Sequence, residues 1–322
     1  MKILKITTAL FVLSLTSCQA QNNKTTSKNP KTYAEISVKE GGKWEGRKYI
    51  GGTFRNVQVL KLAPEHTDHS FDIRYEGPGW ESNKIGYRLY LDWRNAIDIF
   101  GKKTESIVLP KVGQDNFDSY HEMSDWGADI LKAGKGIGIG SIDRYLNKEK
   151  LHFYAVDSTV AKIQNKSNQS GVKINYYGWE TASDKIDFTS ELTINPDQRY
   201  TKHTIHPSKE IAGICTGIVK QKNTEVFKKE SQNKKWAYIA TYGTQSLVPD
   251  KLGMAIFYEI NTIEYLVDAE FDQLLVFKPR STPTSFYFLG AWEQEKEGIK
   301  SKEEFIKYLD KKLTVLNKKN KL

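Results

Sequence analysis

From Tyr33 to Lys300 the chain repeats one pattern: short β-branched and aromatic runs, several alternating apolar and polar with period two, cut by Gly, Asn, Asp and Pro turns. "KIGYRLYLDW", "LHFYAVDSTVAKI", "IDFTSELTI", "GMAIFYEI" and "TSFYFLGAWE" are examples, and each reads as a strand. There is no strand–helix alternation, no internal repeat and no linker-like break between 34 and 300. The expected fold is therefore all-β, a single large antiparallel β-sandwich spanning 33–322. One exception closes the chain. In "SKEEFIKYLDKKLTVLNKK" a Ser301 to Glu304 capping box precedes Phe305, Tyr308, Leu309, Leu313 and Leu316 at helical spacing, which predicts a helix over 301–319 docked on the sandwich. Its lysines gather toward the C-terminal end, where the helix dipole favours them.

The N-terminus departs from this pattern. "MKILKITTALFVLSLTSCQAQ" has two early lysines, an apolar stretch too short to span a bilayer, and small residues before Cys18. It reads as an export signal over 1–18, and Leu15-Thr16-Ser17-Cys18 resembles a bacterial lipobox whose cysteine would carry lipid. The alternative is an ordinary secretory signal cut near Ala20. Residues 19–32 are polar and aperiodic and read as a flexible tether. The expected location is thus the cell envelope, facing the periplasm or outer membrane, with the lipid as the one membrane contact. After Cys18 only Cys215 remains, so the mature fold has no intramolecular disulfide, and alternation with apolar neighbours marks Cys215 as a buried structural thiol.

A net charge of +9 raises nucleic acid as a partner, but the excess sits at the ends. Residues 1–33 hold five lysines and no acid, and 301–322 hold seven lysines against three acids; between them 36 basic residues balance 36 acidic ones. A neutral body lacks a nucleic-acid binder's basic footprint.

Two passages carry candidate chemistry. In "YEGPGWESNKIGYRLYLDWRNAIDIFGKK" a strand from Lys84 to Asp92 places Ile85, Tyr87, Leu89 and Leu91 on one face and Lys84, Arg88, Tyr90 and Asp92 on the other. The polar face reads either as a solvated outer face or as a cleft wall on which Lys84 and Arg88, with Arg94 beyond the strand end, hold an anionic ligand. Trp80, Trp93 and Trp126 are candidates to stack on sugar faces, with core packing as the alternative. In "SYHEMSDWGADILKAGKGIGIGS", Tyr120, His121, Asp125 and Trp126 fall in a loop-like passage suited to binding or catalysis. Gly134, Gly136, Gly138 and Gly140 recur every second residue, not as a dinucleotide fingerprint; they predict a strand with one bare face that accepts an aromatic side chain or a sugar ring. No metal is expected, because His121 lacks a second histidine at fixed spacing and His66 and His69 read as solvated loop residues. No cofactor motif occurs, and no nucleophile elbow supports a serine triad.

The same two passages resemble signature segments of a family of exported bacterial proteins known as a domain of unknown function and found with polysaccharide-degradation genes. One branch of that family is a dehydratase of oligosaccharides from ulvan, an algal polysaccharide of sulfated rhamnose and uronic acids. The resemblance implies a β-sandwich related to sugar mutarotase folds. The activity it implies is loss of water from the non-reducing-end uronic acid to give the 4,5-unsaturated uronate.

That reaction makes three demands. The substrate carboxylate must be neutralised as charge develops, for which Arg88 and Lys84 are the candidates, with Arg94, Trp80, Trp126 and Asp125 assigned to substrate binding. A base must take the C5 proton, and His121 leads. The departing hydroxyl needs an acid, assigned to Tyr120 or His203. The competing readings are a lipid-anchored glycan-binding protein without chemistry and a lyase acting on uronate-containing glycans.

Overall fold

A computed structural model describes residues 30–114 and 119–322; the segment expected to be an export signal, Cys18 and most of the assigned tether lie outside the described residues. The first strand, Thr32–Glu45, begins on the last residue of that tether. Strands dominate as expected, and every paired ladder is antiparallel. They form three sheets. The longest has nine strands, running from Thr224–Glu230 at one edge through Trp236–Thr244, Lys251–Glu259, Thr284–Trp292, Tyr200–Pro207, Asp184–Ile194, Gln169–Thr181 and Ser158–Lys166 to the three-residue strand Val59–Lys61 at the other. A six-stranded sheet carries both sequence passages in the order Lys48–Val57, Thr32–Glu45, Gly79–Ser82, Ile85–Leu89, Ile97–Lys102, Gly127–Asp129. A five-stranded sheet includes Asp143–Leu146 and Ile214–Val219.

Period-two alternation decides which side chains meet. Ile85, Tyr87 and Leu89 enter the main core with Leu192, Ile194 and Phe288 of the long sheet and Ile218 of the short one. Tyr87 sits edge-on to Phe288 and donates its hydroxyl to the Arg199 carbonyl at 2.5 Å, which locks the two sheets together. The long sheet is apolar on both faces. Ile239, Ile256 and Phe288 face the main core, while Tyr238, Phe257 and Leu289 face the helix Lys302–Lys319 through Phe305, Leu309, Leu313 and Leu316. Ser301 caps this helix by accepting from the Glu304 amide at 3.1 Å. The return bond departs from a standard capping box: the Glu304 carboxylate accepts from the Lys300 amide rather than from Ser301. Cys215 is buried and free, as expected.

The glycine run is not a strand. Gly134, Gly138 and Gly140 take positive φ, and the segment's β-pairing is limited to isolated bridges at Gly138 and Ile139. A Cβ on Gly140 would lie 2.2 Å from the Phe288 ring, so an aromatic side chain covers this glycine, whereas Gly136 faces Val219 and Asp272 and Gly138 the Ile97 backbone.

Candidate functional site

Three neighbouring strands build the site. The register sets Arg88 opposite Asp98 and Asp129 opposite Phe100, so both carboxylates and the guanidinium share the face turned away from the main core. Arg88 reaches Asp129 at 2.7 Å, Asp98 at 3.2 Å, the Tyr90 hydroxyl at 2.7 Å and the Tyr120 hydroxyl at 2.9 Å. Its guanidinium carbon lies 4.5 Å from the Tyr90 ring centre and 4.9 Å from that of Tyr120. The sequence reading made this face a solvent-lined clamp; instead Arg88 is 1% exposed and given over to internal acceptors. The cause lies outside its own strand. The segment Arg74–Glu76 folds over it with left-handed Tyr75 and Glu76, at φ 42° and 67°, and the short turn Ser119–His121 covers it from the other side.

From Glu76 the network continues to Arg94, which bonds Glu76 at 3.0 Å, Asp68 at 2.7 Å and Asp92 at 3.0 Å. Arg94 is therefore held by this chain's own carboxylates rather than left for a ligand. Five carboxylates, Asp68, Glu76, Asp92, Asp98 and Asp129, surround two guanidiniums. Burial, then repulsion from Asp129, pushes the Asp98 carboxyl up to about 7, so the excess negative charge is partly met by a proton. Asp98 Oδ1 and Arg88 Nε are buried without a hydrogen-bond partner among the described residues. Ligand atoms of Asp68, His69 and Glu76 lie within 4.8 Å of one another, a grouping that a search for paired histidines misses; Arg94 already neutralises its two carboxylates.

Tyr120 and His121 stand where this network meets solvent. The His121 side chain is 36% exposed, its Nδ1 lies 3.4 Å from Asp129 Oδ2, and its ring centre is 4.4 Å from that of Tyr120. Tyr120 is buried and forms a wall of a cavity of about 620 Å³ that Lys39, Phe54, Phe71 and Arg74 also line. Burial lifts the Tyr120 phenol above its ordinary range, with Glu76 and Asp129 adding to the rise and Arg88 opposing it, so the phenol keeps its proton at neutral pH.

The remaining assigned residues lie elsewhere. Lys84 pairs with Glu105 at 2.6 Å on the outer surface, so it shares no cleft with Arg88. Trp80 is a core residue with no exposure, stacked on Tyr87 and donating to Thr201 at 2.8 Å. His203 is fully buried, with Nδ1 2.9 Å from the Gly140 carbonyl and Nε2 against Ser190. Burial lowers it to about 4, so it stays neutral and meets no substrate. The acid role assigned to it is thereby excluded, because its strand Tyr200–Pro207 turns it into the core. Trp126 is half-buried edge-on to Phe100, and Asp125 is exposed beside it.

Sequence reasoning missed Glu76, Asp98 and Asp129, whose role depends on pairing across strands. It also misread His66. Its side chain is 1% exposed and Nδ1 lies 2.8 Å from Asp72, with Ser70 donating to the same carboxylate. Burial pushes the Asp72 carboxyl up, but hydrogen bonds from His66 and Ser70, with the positive charge His66 carries when protonated, outweigh it and leave the group below its ordinary value.

Comparison with known proteins gives distant likenesses. A putative aldose 1-epimerase from Klebsiella pneumoniae matches with TM-score 0.35 and 7% identity over 76% of this chain and 84% of its own. A 4-alpha-glucanotransferase from Thermococcus litoralis matches at 0.32 and 12% over 70% and 38%. A TPR-domain containing protein from Parabacteroides distasonis matches at 0.33 and 7% over 80% of this chain, which spans about half of that protein, 54%. No curated protein matches. The family model described as "Domain of unknown function (DUF4861)" matches residues 9–321, nearly the whole length, and the chain belongs to that family.

Proposed function

We propose that the protein removes water from the non-reducing-end uronate of acidic oligosaccharides, with ulvan fragments as the substrate. The observation that carries this reading is the adjacent pair on one turn: His121, exposed and backed by Asp129, beside Tyr120, protonated and backed by Arg88. With Nδ1 turned to Asp129, His121 keeps Nε2 for the substrate. Nε2 takes the C5 proton, the C–H electron pair forms the C4–C5 double bond, and the C4 hydroxyl leaves as water with the Tyr120 proton. Arg88 then stabilises the resulting phenolate, and proton return from His121 to Tyr120 closes the cycle. Arg88 thus acts through Tyr120 and not on the substrate carboxylate. Lys39, on the wall of the same cavity as Tyr120, takes the carboxylate role.

The test is incubation with saturated, uronate-terminated ulvan oligosaccharides, followed by mass spectrometry and by absorbance of the unsaturated product. Loss of one water without chain shortening is expected, and His121→Ala should slow it by about 10²–10⁴-fold while substrate binding persists. Chain shortening would identify a lyase, and binding without product a glycan-binding protein. A folded His121→Ala protein that keeps its turnover would remove the base assignment.

A further inference from the structure

A second cleft, of about 750 Å³, shares no lining residue with the Tyr120 cavity, and the reaction above does not use it. Its lining includes His66, Thr67, Trp93, Tyr154, Ser158 and Thr159. A cavity of this size, with apolar rings and a few hydroxyl and imidazole groups, has the dimensions and mixed lining of a small-ligand site.

The rings are unusual for this molecule. Most of its large aromatics are buried, yet Tyr154 is 69% exposed and lies flat against Trp93, with ring centres 4.9 Å apart and planes 10° apart. His152 braces both edge-on, at 5.2 Å from Trp93 and 5.8 Å from Tyr154, and is itself fixed to Asp143 at 3.1 Å. An exposed aromatic ring held rigid by its neighbours is a preorganised platform: stacking on it costs little side-chain entropy.

The wall also holds a hydrogen-bonding group with capacity to spare. His66 Nδ1 faces Asp72; in the neutral ring this places the proton on Nδ1 and leaves Nε2 as an acceptor, and Nε2 is buried without a partner among the described residues. A buried polar atom left unmatched is costly, and a donor on a bound ligand relieves that cost. The two acids on the lining are already matched, Asp92 by Arg94 and Asp157 by Lys185, and the lining's one cation, Lys61, is exposed to solvent, so no buried charge is left for a ligand to neutralise. The wall therefore asks for a neutral group with hydroxyl donors and an apolar face, which describes a pyranose ring.

We infer that this cleft is a saccharide-binding site, in which a neutral pyranose stacks on the Trp93–Tyr154 platform and one of its hydroxyls donates to His66 Nε2. The site is separate from the Tyr120–His121 pair, so it stands whether or not that pair performs elimination.

Saturation-transfer NMR and calorimetry with neutral tetrasaccharides of β-linked glucose, xylose and mannose test it directly, with adenosine as a competing aromatic probe. At least one tetrasaccharide should bind the full protein, with strongest transfer to ring C–H protons. Tyr154→Ala, at an exposed position, should weaken binding at least about tenfold, and His66→Gln about fivefold, the worth of one hydrogen bond. His121→Ala should leave this binding unchanged. No binding by any tetrasaccharide, preference for adenosine, or binding unaffected by Tyr154→Ala in a protein of unchanged circular dichroism would each overturn the inference.

Discussion

Two buried cations sit on the same six-stranded sheet, and they are built to opposite ends. Lys102 and Glu81 have no side-chain exposure; Lys102 also donates to the Ser82 carbonyl at 2.7 Å, and Glu81 accepts the Val108 and Leu109 amides at 2.8 Å each. Burial raises the Glu81 carboxyl and lowers the Lys102 amine, the direction expected when removal from water outweighs mutual attraction. Arg88 is as deeply buried, but its carboxylates outnumber it, atoms on both sides lack partners, and the network reaches solvent at His121 and His69. The first arrangement is closed and pins the 108–109 backbone to the sheet. The second keeps charge and protons in reserve at a surface, as the proposed acid–base chemistry would require.

Breaking each cation sharpens that contrast. Lys102→Met leaves Glu81 buried without its counter-charge and should cost about 3–5 kcal/mol in urea denaturation, while turnover per folded molecule stays at the wild-type level. Adding Glu81→Gln should recover most of the loss, since the amide oxygen still accepts both backbone amides. Arg88→Met should destabilise by a similar amount and also remove turnover, because Tyr120 loses its partner. If Lys102→Met depressed turnover as much as Arg88→Met, the two networks would not differ in function.

A smaller effect separates them by pH. Asp98 titrates near 3.8 in the unfolded chain and near 7 in the fold. Between those values the folded protein holds a proton that the unfolded chain has released. This contribution is therefore fully present below about pH 4 and lost as pH rises through about 7, amounting to at most about 4 kcal/mol. Asp98→Asn should flatten that slope in a series of denaturation midpoints. His203 contributes the opposite slope, losing stability as pH falls from 6.5 toward 4, so the difference between variant and wild type is the quantity to measure. A wild-type minus Asp98→Asn difference that does not vary between pH 4 and 7 would place the proton elsewhere.

The smallest effect belongs to Lys84. Its exposed pairing with Glu105 predicts that Lys84→Ala changes stability by less than about 1 kcal/mol and leaves kcat/KM unchanged. A large loss of kcat/KM would return Lys84 to the substrate and revive the clamp expected from its strand.

Alternation along Ile85 to Leu89 made one face of the site strand legible, and spacing from Phe305 to Leu316 did the same for the helix. Neither indicates what covers the second face of a strand. Arg88 looked free because Asp129, Glu76 and Tyr120, at 41, 12 and 32 residues' distance, reach it only once the fold closes. His203 and Trp80 are parts of the sandwich that a polar or aromatic side chain disguises. The turn that holds Tyr120 and His121 was legible because it is local, and Tyr154 was not singled out because a lone tyrosine in a strand-like run gives no sign of exposure.

The edges of the nine-stranded sheet bear on solubility. A row of unpaired backbone amides invites a strand from another molecule, and the longest sheet here offers two such rows. One is only three residues long, Val59–Lys61. The other, Thr224–Glu230, carries Glu225, Lys228, Lys229 and Glu230, and its ion pairs Lys302–Glu225 and Lys229–Asp310 fasten the terminal helix along it. An added strand would have to strip water from those charges and displace the helix. A protein with about half of its described residues in strands thus resists extending its longest sheet from one molecule into the next.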